Sequence, residues 1–354
     1  MILLSTIINE FKHGFLEQYK NSILPSHQKA LWAMEHCRHE HGPHMLAQCS
    51  DHDCGTRRYI PHSCGHRSCP HCQNHENQQW IENQLDKRLP AEYYLITFTL
   101  PDQLRHLAWK NQKAVYSLMF DCVQDTLKTF TRNDKKFGGL AGFTAMLHTH
   151  SRRIEYHPHI HIVMPGASIN MLTGLWKTKA GYLFNHKALA KVFRAKMLEA
   201  LFDQGLKLPG YCPEKWVVDC KSVGNGDKAI IYLGRYLYRG VIQEKDILRC
   251  EDGMVTFRYL HAKSGKYKIR TVSGEKFLYL LMLHVLPKGF RRIRSYGFLH
   301  PCSKKLIKFL QVVLRVNPFR MLYARQKKQP VITCPVCGAE MKIIRTQITL
   351  PLVA

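Results

Sequence analysis

The sequence predicts an α+β fold, with helices on one face of an antiparallel sheet and a cysteine-rich segment ahead of it. Three observations predict this. Runs of aromatic and β-branched residues such as Tyr93–Leu100 alternate with longer segments whose apolar residues recur at helical spacing. Their order (strand, helix, paired strands, helix, strand, helix) suits an antiparallel sheet and is compatible with a ferredoxin-like core. Residues 37–76 carry eight His and six Cys with almost no aliphatic periodicity, so burial alone cannot hold that piece together and metal is expected.

Along the chain, Ile7, Ile8, Phe11, Phe15 and Tyr19 mark a first helix. Leu24-Pro25-Ser26 reads as a stop and then an N-cap for a second helix, about His27–Glu35. A short helix, about Gln73–Leu89, ends at Pro90, and the strand Tyr93–Leu100 follows. Pro101-Asp102 opens one long helix with apolar positions from Leu104 to Phe130, broken by Gly138-Gly139. Strands of about Leu140–His150 and His157–Met164 are joined by the polar Ser151-Arg152-Arg153. A helix of about His186–Gln204, a strand Lys215–Cys220 and a helix of about Lys228–Tyr238 come next. Residues 255–272 read as a hairpin about Ser264-Gly265, and Lys276–Lys328 holds 13 basic residues and no acid.

Fifty-two Lys+Arg against 26 Asp+Glu give +26, a self-repulsion most often relieved by nucleic acid. No apolar run approaches the ~18 residues of a membrane span, and Met1–Asn9 lacks the basic start of a secretory signal. Neither membrane insertion nor export is expected. The 13 cysteines are odd in number and clustered, which favours metal-bound thiolates in a reducing compartment over disulfides.

Cys49-x4-Cys54 and Cys69-Pro70-His71-Cys72 are two knuckles that can present four thiolates to one Zn²⁺. Cys37, His44, Cys64 and His66 are then left over, to serve a second metal, to replace a knuckle member, or to be structural; a second zinc is not expected. Cys334-Pro335-Val336-Cys337-Gly338 is half a knuckle, which either finds a partner pair elsewhere or holds no metal. In Tyr156-His157-Pro158-His159-Ile160-His161, alternate side chains share a face, so His159 and His161 form a ligand pair for a divalent ion. Tyr232 and Tyr236 stand at i and i+4 on one helix face, beside Arg235 and Arg239.

Together these residues resemble the IS91-type transposases, members of the HUH superfamily of single-strand endonucleases. The likeness runs in order through Leu24-Pro25-Ser26-His27-Gln28, Ser63-Cys64-Gly65-His66-Arg67-Ser68-Cys69-Pro70-His71-Cys72-Gln73 and Phe98-Thr99-Leu100-Pro101. It continues through Leu147-His148-Thr149, His157–His161, Tyr232-Leu233-Gly234-Arg235-Tyr236, Val255–Tyr259, His284–Gly297 and Cys334–Gly338. The resemblance implies a helical, zinc-ribbon-like domain at 1–90, an HUH (Rep-like) endonuclease core at 91–245 and a basic C-terminal region at 246–354. It implies that His159 and His161 hold Mg²⁺ or Mn²⁺ at a scissile phosphate. Tyr232 and Tyr236 would be paired nucleophiles, one forming a 5′-phosphotyrosine and freeing a 3′-OH. The zinc segment would bind DNA ends, and Arg235, Arg239, Lys288, Arg291, Arg292 and Arg294 would contact single-stranded DNA at the bacterial nucleoid.

Two other functions fit the same residues. One is a replication initiator or plasmid relaxase with identical chemistry. The other is a non-catalytic zinc-dependent DNA-binding protein in which the tyrosines only pack.

A third ligand for the divalent ion is expected from strand geometry. A fold midway between Ile154 and Glu155 would set His148 opposite His161 and His150 opposite His159, all on one face. His148 is therefore the candidate, with Gln103 in reserve.

Overall fold

The computed structural model describes residues 2–38, 43–72, 74–238, 241–261, 264–316 and 331–348. The chain opens with helices α1 (Leu4–Gln18) and α2 (Pro25–Glu35). Pro25 takes the first position of α2, where its missing N–H is harmless, so the cap is Leu24 rather than Ser26. The Leu24 N–H donates to His27 Nδ1 at 3.2 Å. Strands β1 (His44–Cys49) and β2 (Arg57–Pro61), helix α3 (Asn74–Leu85) and strand β3 (Tyr93–Thr99) follow. The long helix expected next is two, α4 (Arg105–Lys110) and α5 (Gln112–Asn133), because Asn111 leaves the helical region at φ −125° and ψ 42°.

Strands β4 (Leu140–Ala141), β5 (Phe143–His150), β6 (Tyr156–Pro165), β7 (Ala167–Ile169) and β8 (Trp176–Thr178) precede helix α6 (His186–Asp203). Strand β9 (Val218–Ser222) begins later than expected because Trp216 anchors the preceding loop. Its ring packs on Phe193, and its indole N–H donates to the Pro213 carbonyl at 3.1 Å. Helix α7 (Asp227–Tyr238), strands β10 (Ile247–Glu251), β11 (Met254–Leu260) and β12 (Tyr267–Ser273) and helix α8 (Gly274–Met282) come next. Strand β13 (Ile293–Tyr296), helix α9 (Lys304–Val313) and strand β14 (Met341–Ile348) complete the described chain.

The α+β class holds. The central sheet is antiparallel in the order β13-β5-β6-β3-β9. Alternation along its strands sorts the two faces. Tyr94, Ile96, Phe98, Ala145, Leu147, Ile160 and Ile162 point into the main core with α5 and α6. Tyr93, Met146 and Val163 point the other way, against Ala229, Ile230 and Leu233 of α7, with Trp80 and Leu85 of α3 beyond. Helices therefore cover both faces, not one. The expectation failed because β3 and β6 carry apolar residues on both sides, and a second apolar face must also be buried. Helices α3 and α7 meet closely at Gly234, where a Cβ would lie 2.2 Å from Ile81 Cγ1.

Packing crosses the boundaries expected at 90/91 and 245/246. Ile7, Ile8, Phe11 and Phe15 of α1 share one core with Val255 and Phe257 of β11 and with Phe277 and Leu278 of α8. The Leu4 N–H donates to Glu244 Oε1 at 2.7 Å, and His71 Nε2 lies 2.8 Å from the same oxygen. Strand β14 pairs with β1, and β2 pairs on the other side. No helix among the described residues is long and apolar enough to cross a membrane.

Candidate active site and metal clusters

The strand β6 begins at Tyr156, so His157, His159 and His161 share the face opposite Ile160 and Ile162. The register differs from the expected one by two residues. His148 faces His159, Met146 faces His161, and a bulge separates His148 from His150. A shift of two leaves each side chain on its original face, so the site survives the error. The ligand atoms of His148, His159 and His161 all lie within 4.8 Å of one another. Gln103 is exposed on the 3-10 turn Asp102–Leu104 and is not one of this group.

Neighbours orient two of the three rings. His159 Nδ1 lies 2.6 Å from the His157 carbonyl and donates to it, leaving Nε2 with its lone pair. His161 Nδ1 is 2.8 Å from Thr97 Oγ1, on the strand partner of His161. Such outer partners fix the tautomer of a metal-binding imidazole. Burial pushes the pKa of His159 down to about 4 and those of His148 and His161 well below the usual value. All three are neutral at physiological pH, the form that ligates. Three imidazoles suit a divalent transition-metal ion better than Mg²⁺, which prefers oxygen.

Helix α7 lies over this face and carries Tyr232, which is 39% exposed. Tyr232 and His150 line one cleft of about 320 Å³, between the β5–β6 turn and the β10–β11–β12 sheet. Arg152, Lys245, Arg258, Tyr259 and Tyr267 are also on its wall. The helix backbone continues through residue 238, but the side chains of Arg235 and Tyr236, and all of Arg239, lie outside the described residues.

The thiol assignment needs correction. Cys49, Cys54, Cys69 and Cys72 do not form one site. The structure gathers Cys37, Cys64, Cys69 and Cys72 into one group and Cys49, Cys54, Cys334 and Cys337 into another. In the first, Cys37–Cys72 and Cys64–Cys72 are 3.6 Å apart at sulfur and Cys69–Cys37 is 3.5 Å. A tetrahedron with Zn–S bonds of about 2.3 Å has edges near 3.8 Å, whereas a disulfide measures about 2.05 Å. The physical reason is the path of the chain: β1 and β2 carry Cys49 and Cys54 away toward β14, while Cys69 and Cys72 turn back against α1 and α8.

The basic block is not one surface either. Lys288 and Arg291 are exposed. Arg292 Nε donates to the Leu147 carbonyl at 3.2 Å. Arg294 lies over the Phe120 ring at 4.4 Å and reaches Asp121 at 3.4 Å and Ser117 at 3.3 Å. Arg294→Ala should therefore reduce stability by about 1 kcal/mol in denaturant unfolding. Arg291→Ala should leave stability unchanged and lower affinity for DNA of any sequence, reducing the slope of log K against log salt by about 1. Equal effects of both changes on affinity, with none on stability, would contradict this division.

Buried neutral imidazoles also set an acid limit. Burial lowers His284 and His27 to about 4. His284 holds Thr149 Oγ1 and the Ile154 carbonyl, each at 3.2 Å. The unfolded chain takes up these protons near pH 6.5, before the folded chain does, so stability is complete above that value and falls below it. Each site should lose about 2 kcal/mol by pH 5. His284→Asn should flatten the dependence of the unfolding midpoint between pH 7.5 and 5; an unchanged slope would refute its part.

The family described as "Putative transposase" matches residues 142–306, and the "Transposase zinc-binding domain" matches residues 7–100. "Putative transposase y4qJ" of Sinorhizobium fredii is 33% identical over 319 residues, 83% of this chain and 79% of its own length. The transposase for insertion sequence element IS801 of Pseudomonas savastanoi pv. phaseolicola is 27% identical, over 83% of this chain and 77% of its own. A solved structure of TrwC with a 27-mer DNA aligns at 13% identity and a TM-score of 0.28, over 63% of this chain and 74% of that one. One of the conjugative relaxase TrwC with mutant OriT DNA aligns at 20% identity and 0.27, over 36% and 49%. This chain thus spans about half of that structure, and likeness this slight supports no argument. The relative at 33% identity and the two family matches do: the chain belongs to the IS91-type transposases with an N-terminal zinc-binding domain.

Proposed function

We propose that the protein cleaves and rejoins single-stranded DNA at the ends of a mobile element, using Tyr232 and Tyr236 as nucleophiles and His148, His159 and His161 as ligands of Mn²⁺ or Mg²⁺. The observation that carries this is the convergence of three neutral imidazoles, two of them oriented by hydrogen bonds, on the sheet face under the tyrosine helix. The bound ion would neutralise charge on the scissile phosphate. Thr97 and the His157 carbonyl hold His161 and His159 in the ligating orientation. The phenol oxygen of one tyrosine bonds to phosphorus as the bond from phosphorus to the 3′-oxygen breaks. The phenol proton passes to solvent and the leaving oxygen gains one, giving a 5′-phosphotyrosine and a 3′-OH. The phosphodiester energy is conserved, so the reverse attack needs no nucleotide cofactor.

The cleft beside Tyr232 supports a single-stranded substrate. Tyr259 and Tyr267 offer faces for unpaired bases, and Arg152 and Lys245 offer charge to the backbone. Lys288 and Arg291, with Arg235 and Arg239, would extend that contact, and the group Cys37, Cys64, Cys69 and Cys72 would hold the Zn²⁺ of the zinc-binding domain. Such a protein would act on nucleoid DNA in the bacterial cytoplasm. The test is cleavage of end-labelled single-stranded oligonucleotides bearing the element's ends, with and without Mn²⁺. Metal-dependent nicking is expected. Binding without nicking would leave a DNA-binding protein only.

A further inference from the structure

We infer that Cys49, Cys54, Cys334 and Cys337 bind a second Zn²⁺, which clamps the C-terminal segment of the chain to the N-terminal zinc-binding segment. The zinc-binding family match ends at residue 100 and the other at 306, so neither reaches the second pair of cysteines. The sulfurs form a closed group, all within 4.8 Å, with Cys49–Cys337 at 3.4 Å and Cys54–Cys334 at 3.7 Å. These separations are near the edges of a zinc–thiolate tetrahedron and far longer than a disulfide bond.

The backbone is shaped for a ligand. Cys334-x2-Cys337 is a tight knuckle in which the Gly338 N–H donates to the Cys334 carbonyl at 2.9 Å and the Cys334 N–H to the Ala339 carbonyl at 2.7 Å. Gly338 adopts φ +75°, a conformation that a side chain would resist. Strand β14 then pairs with β1 so that Met341 faces Cys49 and Lys342 faces Gln48, bringing the knuckle to the end of β1.

Among the described residues, the apolar packing around this arrangement is small, with Ile60, Ile332 and Ala339 only partly buried against it. The buried set is Ala47, Cys49, Cys334 and Met341, while Val336, Ile343 and Ile344 are 74%, 45% and 48% exposed. A small sheet with so little core is marginal in water unless something else closes it. Four soft thiolates in tetrahedral array select Zn²⁺, with a single iron as the competing ion. The ligands Cys54 and Cys334 are 280 positions apart, so the metal would close a loop around nearly the whole protein, and cross-links over long loops restrict the unfolded chain most.

Metal analysis of the full-length protein should find two zinc per chain, and the Cys334→Ser/Cys337→Ser variant should hold one. In that variant the amides of β14 should exchange with solvent rapidly. Should the variant fold poorly, ¹¹³Cd NMR of the metal-exchanged wild type decides: two resonances in the tetrathiolate range are expected. Zinc content unchanged in the variant, a single cadmium resonance in the wild type, or iron as the bound metal would overturn the assignment. None of these outcomes depends on DNA cleavage.

Discussion

His148→Ala is expected to slow metal-dependent cleavage of single-stranded DNA by about 100-fold or more, while DNA affinity stays within about twofold. His148 is 1% exposed and stands opposite His159, so alanine leaves a hole in a site that two imidazoles then line. Losing one of three imidazoles leaves water and phosphate to fill its position, which weakens the hold on the ion. High Mn²⁺ should restore part of the rate, since the defect is one of metal affinity. His159→Ala and His161→Ala should behave alike. Cleavage by His148→Ala at the wild-type rate under limiting Mn²⁺ would remove the residue from the site.

Removing zinc from the group Cys37, Cys64, Cys69 and Cys72 is expected to unfold more than the N-terminal segment. Structural zinc binds with about 10–16 kcal/mol in small domains, comparable to the whole stability of a domain at about 5–15 kcal/mol. Cys69 and Cys72 belong to the core shared by α1, β11 and α8, and Glu244 ties His71 to the start of α1. Hydrogen exchange after chelation should therefore show α1 and α8 losing protection together. Strands β3 and β6, whose main core lies against α5 and α6, should keep theirs. Retained protection in α8 would show that the shared core stands without the metal.

The strand and helix order was legible because period-2 and period-3.6 patterns in β3, β6, α5 and α6 agree with their burial. His159 and His161 could be paired from alternation alone. The hairpin register could not. It turns on Ile154, a β-branched residue at φ +63°, which no propensity would place there. Burial at 3% exposure and the His284 contact to its carbonyl hold it in place. The thiol groups were misread for another reason: spacing pairs neighbouring cysteines, but the partners of Cys49 and Cys54 lie in β14's segment, and only the folded sheet brings them together. The basic stretch concealed α8, whose Phe277, Leu278 and Leu281 are buried while its neighbours raise the charge. Charge counted along the sequence did not separate Arg291, in solvent, from Arg294, stacked on Phe120.

The central claim is covalent attack by a tyrosine of α7. It is tested most directly by trapping the protein on a single-stranded element end, digesting the adduct and locating the modified residue by mass spectrometry. The account predicts a peptide whose Tyr232 or Tyr236 phenol is esterified to the 5′-phosphate of the nucleotide, and no adduct from Tyr232→Phe/Tyr236→Phe. An adduct on any other residue, or cleavage by that double variant at the wild-type rate, would contradict it.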